Sequence, residues 1–192
     1  MKKSSAARRP MLVAIAGPNG AGKSTFFGAF FRDTGLRFVN ADELSRELNI
    51  DAYRAAGVAN AIRNELVARN QSFAFETVFS DTVREKMNFL KAAAAAGYDV
   101  TLCFIGVEGP AMSDQRVAMR VSRGGHDVPE DKIIARFPRA LANLKIALAE
   151  LAHVVVYDNS DLSAPFRRIA EFRNGNQAFL ADALPGWFAR LM

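Results

Sequence analysis

The residues whose types and spacing could do chemistry are concentrated near the start of the chain. Gly17-Pro18-Asn19-Gly20-Ala21-Gly22-Lys23-Ser24-Thr25 fits the pattern G-x-x-x-x-G-K-[ST] at every position. That pattern suits polyphosphate. Glycines let the backbone turn tightly and bring its N–H groups close to phosphate oxygens, and a following helix N-terminus adds partial positive charge. Lys23 would bring a full charge to the β- and γ-phosphates, and the Ser24 hydroxyl is of the type that ligates Mg²⁺. A glycine turn that merely joins a strand to a helix would not need Lys-Ser. The motif predicts a nucleoside triphosphate, ATP, together with Mg²⁺, and says nothing of what the nucleotide is used for.

Four more groups could complete phosphoryl transfer, which needs positioned phosphates, a metal, a base on the nucleophile and cations for the transition state. Asp42, in Asn40-Ala41-Asp42-Glu43, is a short carboxylate after an expected strand; it suits a general base, and it equally suits a helix N-cap. Glu76, in Phe-Ala-Phe-Glu-Thr, stands in an apolar strand where a carboxylate does not stay unpaired. It could bind the metal through water, hold the acceptor, or form an ion pair at the sheet's end. Arg116, Arg120 and Arg123 recur at i, i+4 and i+7, so one helix face would carry all three, and Arg136 follows on the next helix. These arginines read either as a lid over the γ-phosphate or as a solvated basic face. His126, beside Gly124-Gly125, could be a ligand or base, although a lone loop histidine is more often structural.

The elements that must position these residues alternate strand and helix. Met11 to Ala16 reads as a buried parallel strand, followed by the glycine loop and an apolar helix bearing Phe26, Phe27, Phe30 and Phe31, all assigned to the core. Further strands are expected at Leu36–Val39, from Phe73 to about Glu76, at Tyr98–Val107 and at Val154–Tyr157, with Phe166–Phe172 as an edge strand. Helices are expected near 45–49, 53–70, 81–96 (N-capped by Asp81), from about Met112, and from Val128-Pro129-Glu130 to about Leu151 with a kink or break at Pro138. Leu184–Met192 would be a short closing helix. The pattern predicts α/β architecture of the P-loop NTPase, kinase-like type: a parallel five-stranded sheet with helices on both faces and an arginine-bearing lid. Ligands of such sheets bind beyond the carboxyl ends of the strands. The glycine loop, Asp42, Glu76, the arginines and Asp158-Asn159 all fall on that edge.

Composition bounds the rest. The 192 residues are 50% hydrophobic, enough for one domain with a sizeable core: a single kinase domain over 11–192, its lid at about 111–136, after a disordered basic tail at 1–10. Lys2, Lys3, Arg8 and Arg9 ahead of an apolar stretch resemble a signal peptide, but that stretch is short and runs into the glycine loop. The net charge of +5 fits an anionic partner, either nucleotide or nucleic acid. With a single cysteine, Cys103, no intramolecular disulfide is possible and nothing suggests an oxidising compartment; Cys103 is expected as a small buried hydrophobe. No apolar run reaches membrane-helix length, so no membrane partner and a cytoplasmic location are expected.

Taken in order, Gly-Pro-Asn-Gly-Ala-Gly-Lys-Ser-Thr, Asn-Ala-Asp, Phe-Glu-Thr, Arg-Val-x-x-Arg-Val-x-x-Gly-Gly-His-x-Val-Pro, Arg-Phe-Pro-Arg-x-Leu-x-Asn-Leu and Tyr-Asp-Asn-Ser resemble the zeta-toxin family of P-loop kinases, over about Met11 to Ser160. The arginine-bearing Gly-Gly-His segment is more specific than the glycine loop. The resemblance implies transfer of the ATP γ-phosphate to a sugar hydroxyl of UDP-N-acetylglucosamine, within a toxin–antitoxin system. It implies that Gly17 to Thr25 bind ATP with Arg116 in support, that Lys23 and Ser24 serve phosphate and Mg²⁺, and that Asp42 is the base. Arg120 and Arg136 would meet the transferred group, and Asn40, Glu76 and Thr77 would lie on the acceptor side. The acceptor-binding half carries no readable motif. Two other readings stay open. A mechanical or regulatory P-loop ATPase would need a strand ending in Asp-Glu or a Leu-Ser-Gly-Gly-Gln-like signature, and neither occurs. A nucleic-acid end kinase or binder would fit the charge, without an RNA-binding signature.

Overall fold

Burial fixes both faces of the first strand. β1 (Met11–Ala16) buries Leu12, Ala14 and Ala16 in one apolar cluster and Val13 and Ile15 in another. A strand with two dry faces belongs inside a sheet covered on both sides. The computed structural model, which describes residues 9–122 and 128–192, has that sheet. β2 (Arg37–Val39), β3 (Phe73–Thr77), β4 (Asp99–Gly106) and β5 (His153–Asp158) join β1 in the parallel order β2-β3-β1-β4-β5. The expected five-strand count is short by two. β6 (Arg167–Arg173) pairs antiparallel with β5, and β7 (Asn176–Leu180) antiparallel with β6, giving seven strands. The segment expected at the edge is therefore second from it. The cause is a two-residue hairpin at Asn174-Gly175, with φ of 49° and 78°, the combination an Asn-Gly turn adopts readily.

The helices are α1 (Lys23–Phe30), α2 (Ala41–Leu48), α3 (Ala52–Ala68), α4 (Glu85–Ala95), α5 (Gly109–Val121), α6 (Glu130–Glu150) and α7 (Gly186–Ala189). Residues of α3, α4, α6 and α7 pack on the sheet face of Leu12, Ala14 and Ala16; α1 and Met112 of α5 pack on the other. α3 begins where Asp51 Oδ1 accepts the N–H groups of Tyr53 and Arg54. α4 starts later than expected: Asp81 accepts the Glu85 N–H at 2.5 Å, but Arg84 takes a left-handed φ of 56° in between. Asn143 of α6 ties that loop down by donating to the Phe79 and Asp81 carbonyls.

α6 runs through Pro138 as one helix. An internal proline costs ~3 kcal/mol or more. Burial of Ile133, Phe137, Leu144 and Leu148 on this helix, at ~1.5–3 kcal/mol each, outweighs it. The aromatic helix α1 is less buried than expected. Phe26 is buried and Phe27 stacks on Phe38 at 3.9 Å, but Phe30 is 52% exposed, because α1 spans only eight residues and its outer side meets solvent. Cys103 is buried in β4, and burial pushes its thiol pKa up to about 12. No helix among the described residues is long and apolar enough to cross a membrane. The tail through residue 8 and the Arg123–His126 segment lie outside the described residues.

Candidate active site

The glycine loop leaves β1 and turns against β4. Gly17 has φ 145°, and a Cβ there would stand 2.1 Å from the Ile105 carbonyl oxygen, so only glycine fits. Gly22, at φ 91°, is the N-cap from which α1 starts at Lys23. The first turn of α1 thus points its free N–H groups into the loop.

Lys23 is buried. Its Nζ donates to the Pro18 carbonyl at 3.0 Å and pairs with Glu76 Oε1 at 3.5 Å. Ser24 Oγ donates to Glu76 Oε2 at 2.6 Å, and Asn40 Nδ2 donates to the same oxygen at 3.2 Å. The parallel register of β1 and β3, with Ile15 opposite Glu76, brings this carboxylate to the loop. Asn40 also caps α2: its Oδ1 accepts the Asp42 N–H at 2.9 Å. The capping alternative for Asp42 is therefore overturned; the residue two before it is the cap, which leaves the Asp42 carboxylate for other work. Arg120 Nη1 lies 4.0 Å from Asp42 Oδ2. Partial burial raises the pKa of the neighbouring Glu43, opposed by Arg46 and helped by the charges of Glu76, Glu47 and Asp42.

Lys23, Asn40, Asp42, Glu76, Thr77, Arg120 and Arg136 line one cleft of about 300 Å³. A second cleft, of about 450 Å³, lies across the loop, lined by Gly22, Thr25, Met112, Arg116, Met119, Asn159 and Phe166; Gly20 lines both. Arg116 and Arg120, expected on one helix face, thus serve different clefts. Arg116 donates to the carbonyls of Asn159 (2.7 Å) and Ser160 (3.0 Å), and burial lowers its pKa. Asn159 in turn donates from Nδ2 to the Ala21 carbonyl at 2.9 Å, fastening β5 to the glycine loop. Asp158 beside it accepts from Trp187 Nε1 at 2.8 Å. That indole packs on Gly106, where a Cβ would meet the ring at 2.1 Å.

Sequence reasoning missed Arg63, Lys86 and Lys132, which also line the first cleft, and the part played by Trp187. A signal for Arg63 existed: it shares a helical stripe with Ala52, Ala56 and Ala59. Chemically, the arrangement has a cradle for polyphosphate between a mainly apolar cleft and a charged one. Ser24 and Glu76 supply the hard oxygen donors that Mg²⁺ takes, and such ions are held by one or two carboxylates plus phosphates rather than by a protein cage. No cluster of three or more His, Cys, Asp or Glu that could hold a metal occurs among the described residues.

The profile of the zeta toxin family matches residues 45–168, from within α2 into β6 and beyond half of the chain. The match excludes the glycine loop and Asp42, so those stand as separate observations. An uncharacterized protein of Haemophilus influenzae is 27% identical over 131 residues, which cover 65% of this chain and 91% of that protein. The AvrRxo1-ORF1:AvrRxo1-ORF2 complex with sulphate ions superposes with a TM-score of 0.73 at 16% identity, over 96% of this chain and 64% of that one. The same pair with ATP gives 0.67 at 16% identity, over 90% and 61%. This chain therefore spans less than two thirds of the AvrRxo1 chains it matches. The PezAT chromosomal toxin–antitoxin system of Streptococcus pneumoniae gives 0.59 at 19% identity, over 79% and 68%. At these identities the superpositions establish a shared kinase-like P-loop fold.

Proposed function

Because the chain belongs to the zeta toxin family, a P-loop phosphotransferase family, we propose that it moves the γ-phosphoryl group of ATP to a hydroxyl of a small molecule, a sugar hydroxyl of a nucleotide sugar such as UDP-N-acetylglucosamine. One observation carries this reading: Asp42, Glu76, Arg120 and Arg136 all line the same side of the glycine loop. A carboxylate base and cations gathered on one side of a phosphate cradle suit a second substrate there, with the nucleoside on the other side.

In this mechanism the backbone N–H groups of residues 19–25, at the start of α1, hold the ATP phosphates, and Lys23 neutralises charge between β and γ. The second cleft takes the nucleoside, with Arg116 and Asn159 shaping its wall. Ser24 and Glu76 would hold Mg²⁺, which when bound neutralises phosphate charge and orients the γ-phosphoryl group. ATP would then displace Lys23 and Ser24 from their contacts with Glu76. Asp42 accepts the proton of the acceptor hydroxyl as that oxygen bonds to the γ-phosphorus and the bond to ADP breaks. Arg120 and Arg136, on a lid of α5 and the start of α6, neutralise the equatorial oxygens of the transferred group. The products are ADP and a phosphorylated acceptor. The PezAT likeness supports a protein antitoxin as partner, and a nucleotide-sugar acceptor supports a cytoplasmic site of action.

The test is incubation with γ-labelled ATP, Mg²⁺ and a panel of nucleotide sugars, plain sugars and an oligonucleotide 5′ end, followed by mass analysis. A phosphorylated sugar supports the reading. Label on the oligonucleotide alone, or ATP hydrolysis with no labelled acceptor, overturns it.

A further inference from the structure

The charged cleft has a floor that none of the roles above uses. Ala52, Ala56, Ala59 and Arg63 of α3 line it at i, i+4, i+7 and i+11, a single stripe of the helix. Three methyl side chains leave a trough, and the stripe ends in a guanidinium. Arg63 is only 5% exposed. Its Nη2 donates to Asn60 Oδ1 at 3.1 Å, while its Nε is buried and without an acceptor among the described residues. Its guanidinium carbon lies 5.0 Å from the Phe75 ring centre and 5.8 Å from that of Phe89, which hold the group in place without neutralising it.

Among the described residues, no carboxylate forms an ion pair with Arg63. The one whose charge it senses, Glu85, is paired with Lys86 at 2.8 Å, and Lys86 itself lines the cleft. Burial accordingly lowers the Arg63 pKa, the sign of a cation short of a partner. A buried charge is costly unless paired and hydrogen-bonded, and a buried N–H without an acceptor adds to that cost. A packing role alone would be filled by an apolar side chain of similar length. An oxyanion at the guanidinium would satisfy the charge, and the planar group presents a fork that fits carboxylate or phosphate.

We propose that Arg63 binds an anionic group of the acceptor, a phosphoryl or carboxylate group, at the end of the alanine stripe of α3. The word acceptor rests on the kinase reading above; the anion site does not. At about 300 Å³ the cleft is at the small end of the ~300–1,000 Å³ range of small-molecule sites. The group that enters it is accordingly compact: a hydroxyl-bearing ring with one oxyanion close by, either a whole molecule or the end of a longer one.

The test uses the full chain saturated with a non-hydrolysable ATP analogue and Mg²⁺, so that the glycine loop cannot take the probe. Matched pairs are titrated by calorimetry: N-acetylglucosamine against its 1-phosphate, and glucose against glucuronate. The charged member of at least one pair should bind about tenfold or more tighter than the neutral one, a usual scale for a charge-assisted contact. The pair that responds identifies the oxyanion. Arg63→Gln should erase the preference and Arg63→Lys retain part of it, with thermal melts checking folding. In turnover, KM for a charged acceptor should rise while kcat holds, which a merely structural role would not produce. Equal binding of charged and neutral members by the native chain overturns the proposal. So does a preference that survives Arg63→Gln or, should that variant not fold, one undiminished in Arg63→Lys. If the preference holds but nothing on the panel is ever phosphorylated, the kinase reading fails and the anion site stands. If a charged acceptor is phosphorylated with the same KM by Arg63→Gln, the reverse is true.

Discussion

The two clefts that meet at the glycine loop differ in how their polar groups are satisfied. On the Arg116 side, the guanidinium is spent on the carbonyls of Asn159 and Ser160, Asn159 is spent on Ala21, and Asp158 is held by Trp187. Those groups are satisfied without a ligand, although Ser113 Oγ of α5, one turn before Arg116, is buried without a partner among the described residues. On the Asp42 side, Arg63 Nε and Asn19 Oδ1 are buried without partners among the described residues. A site finished by folding spends little on ordering when it binds, whereas a site with unmatched groups gains most from a ligand that matches them. Under the proposed function, the Arg116 side would hold the nucleotide and the Asp42 side would select the acceptor.

The largest expected effect comes from the buried lysine of the glycine loop. Lys23→Ala should remove detectable transfer and weaken ATP binding, because the β- and γ-phosphates lose their buried cation. Calorimetry with ATP checks it, and unchanged affinity with persisting activity would sink the phosphate-cradle reading. Next, Arg120→Ala or Arg136→Ala should lower kcat on the order of 10³-fold, as for an arginine acting on the transferred phosphoryl group, with little change in ATP affinity. Comparable small losses in both quantities would make these arginines a solvated face and blur the distinction between the clefts.

Asp42→Asn should cut kcat about 10²-fold or more, the usual contribution of a general base. The melting temperature should not move, since Asn40 supplies the cap of α2. Near-normal turnover would return Asp42 to a positioning role and make Glu76 the next candidate base. The smallest effect belongs to Trp187, which lines neither cleft and holds Asp158 beside Asn159. Trp187→Phe keeps an aromatic ring against Gly106 but deletes the bond to Asp158, which should cost about 0.5–1.5 kcal/mol in urea unfolding. In kinetics it should raise KM for ATP several-fold and leave kcat alone; a fall in kcat instead would mean the two sides are coupled. Cys103, in the strand beside β1, serves as a reporter of intactness: with its pKa pushed up to about 12, it should stay inert to thiol reagents at neutral pH until the chain unfolds.

Much of this architecture is legible in the order of the amino acids. The parallel core, the carboxyl-edge site and most members of the charged cleft follow from strand periodicity and from where polar residues interrupt it. The departures have physical causes. Seven strands rather than five result from Asn174-Gly175, a hairpin signal that two-residue turns carry in the sequence itself. Aromatics at helical spacing suggest burial for Phe30, yet an eight-residue helix buries only one flank. Arg116 and Arg120 share a helix stripe but not a cleft, since long side chains go where their partners are and the carbonyls of Asn159 and Ser160 lie to one side.

The phosphate cradle is the part of this protein that chain order alone specifies. Its donors, its glycines and the helix start that charges it are consecutive residues, so local backbone chemistry suffices. Every partnership across the chain was decided by tertiary packing instead. Ser24 meets Glu76 from 52 residues away because the sheet seats β3 beside β1. Asp42 is released from capping by Asn40, and Arg63 is buried between aromatic rings with an unmet donor. The periodicity of a sequence says which residues share a face; which neighbour that face meets, and which polar atoms are left without one, is settled by packing.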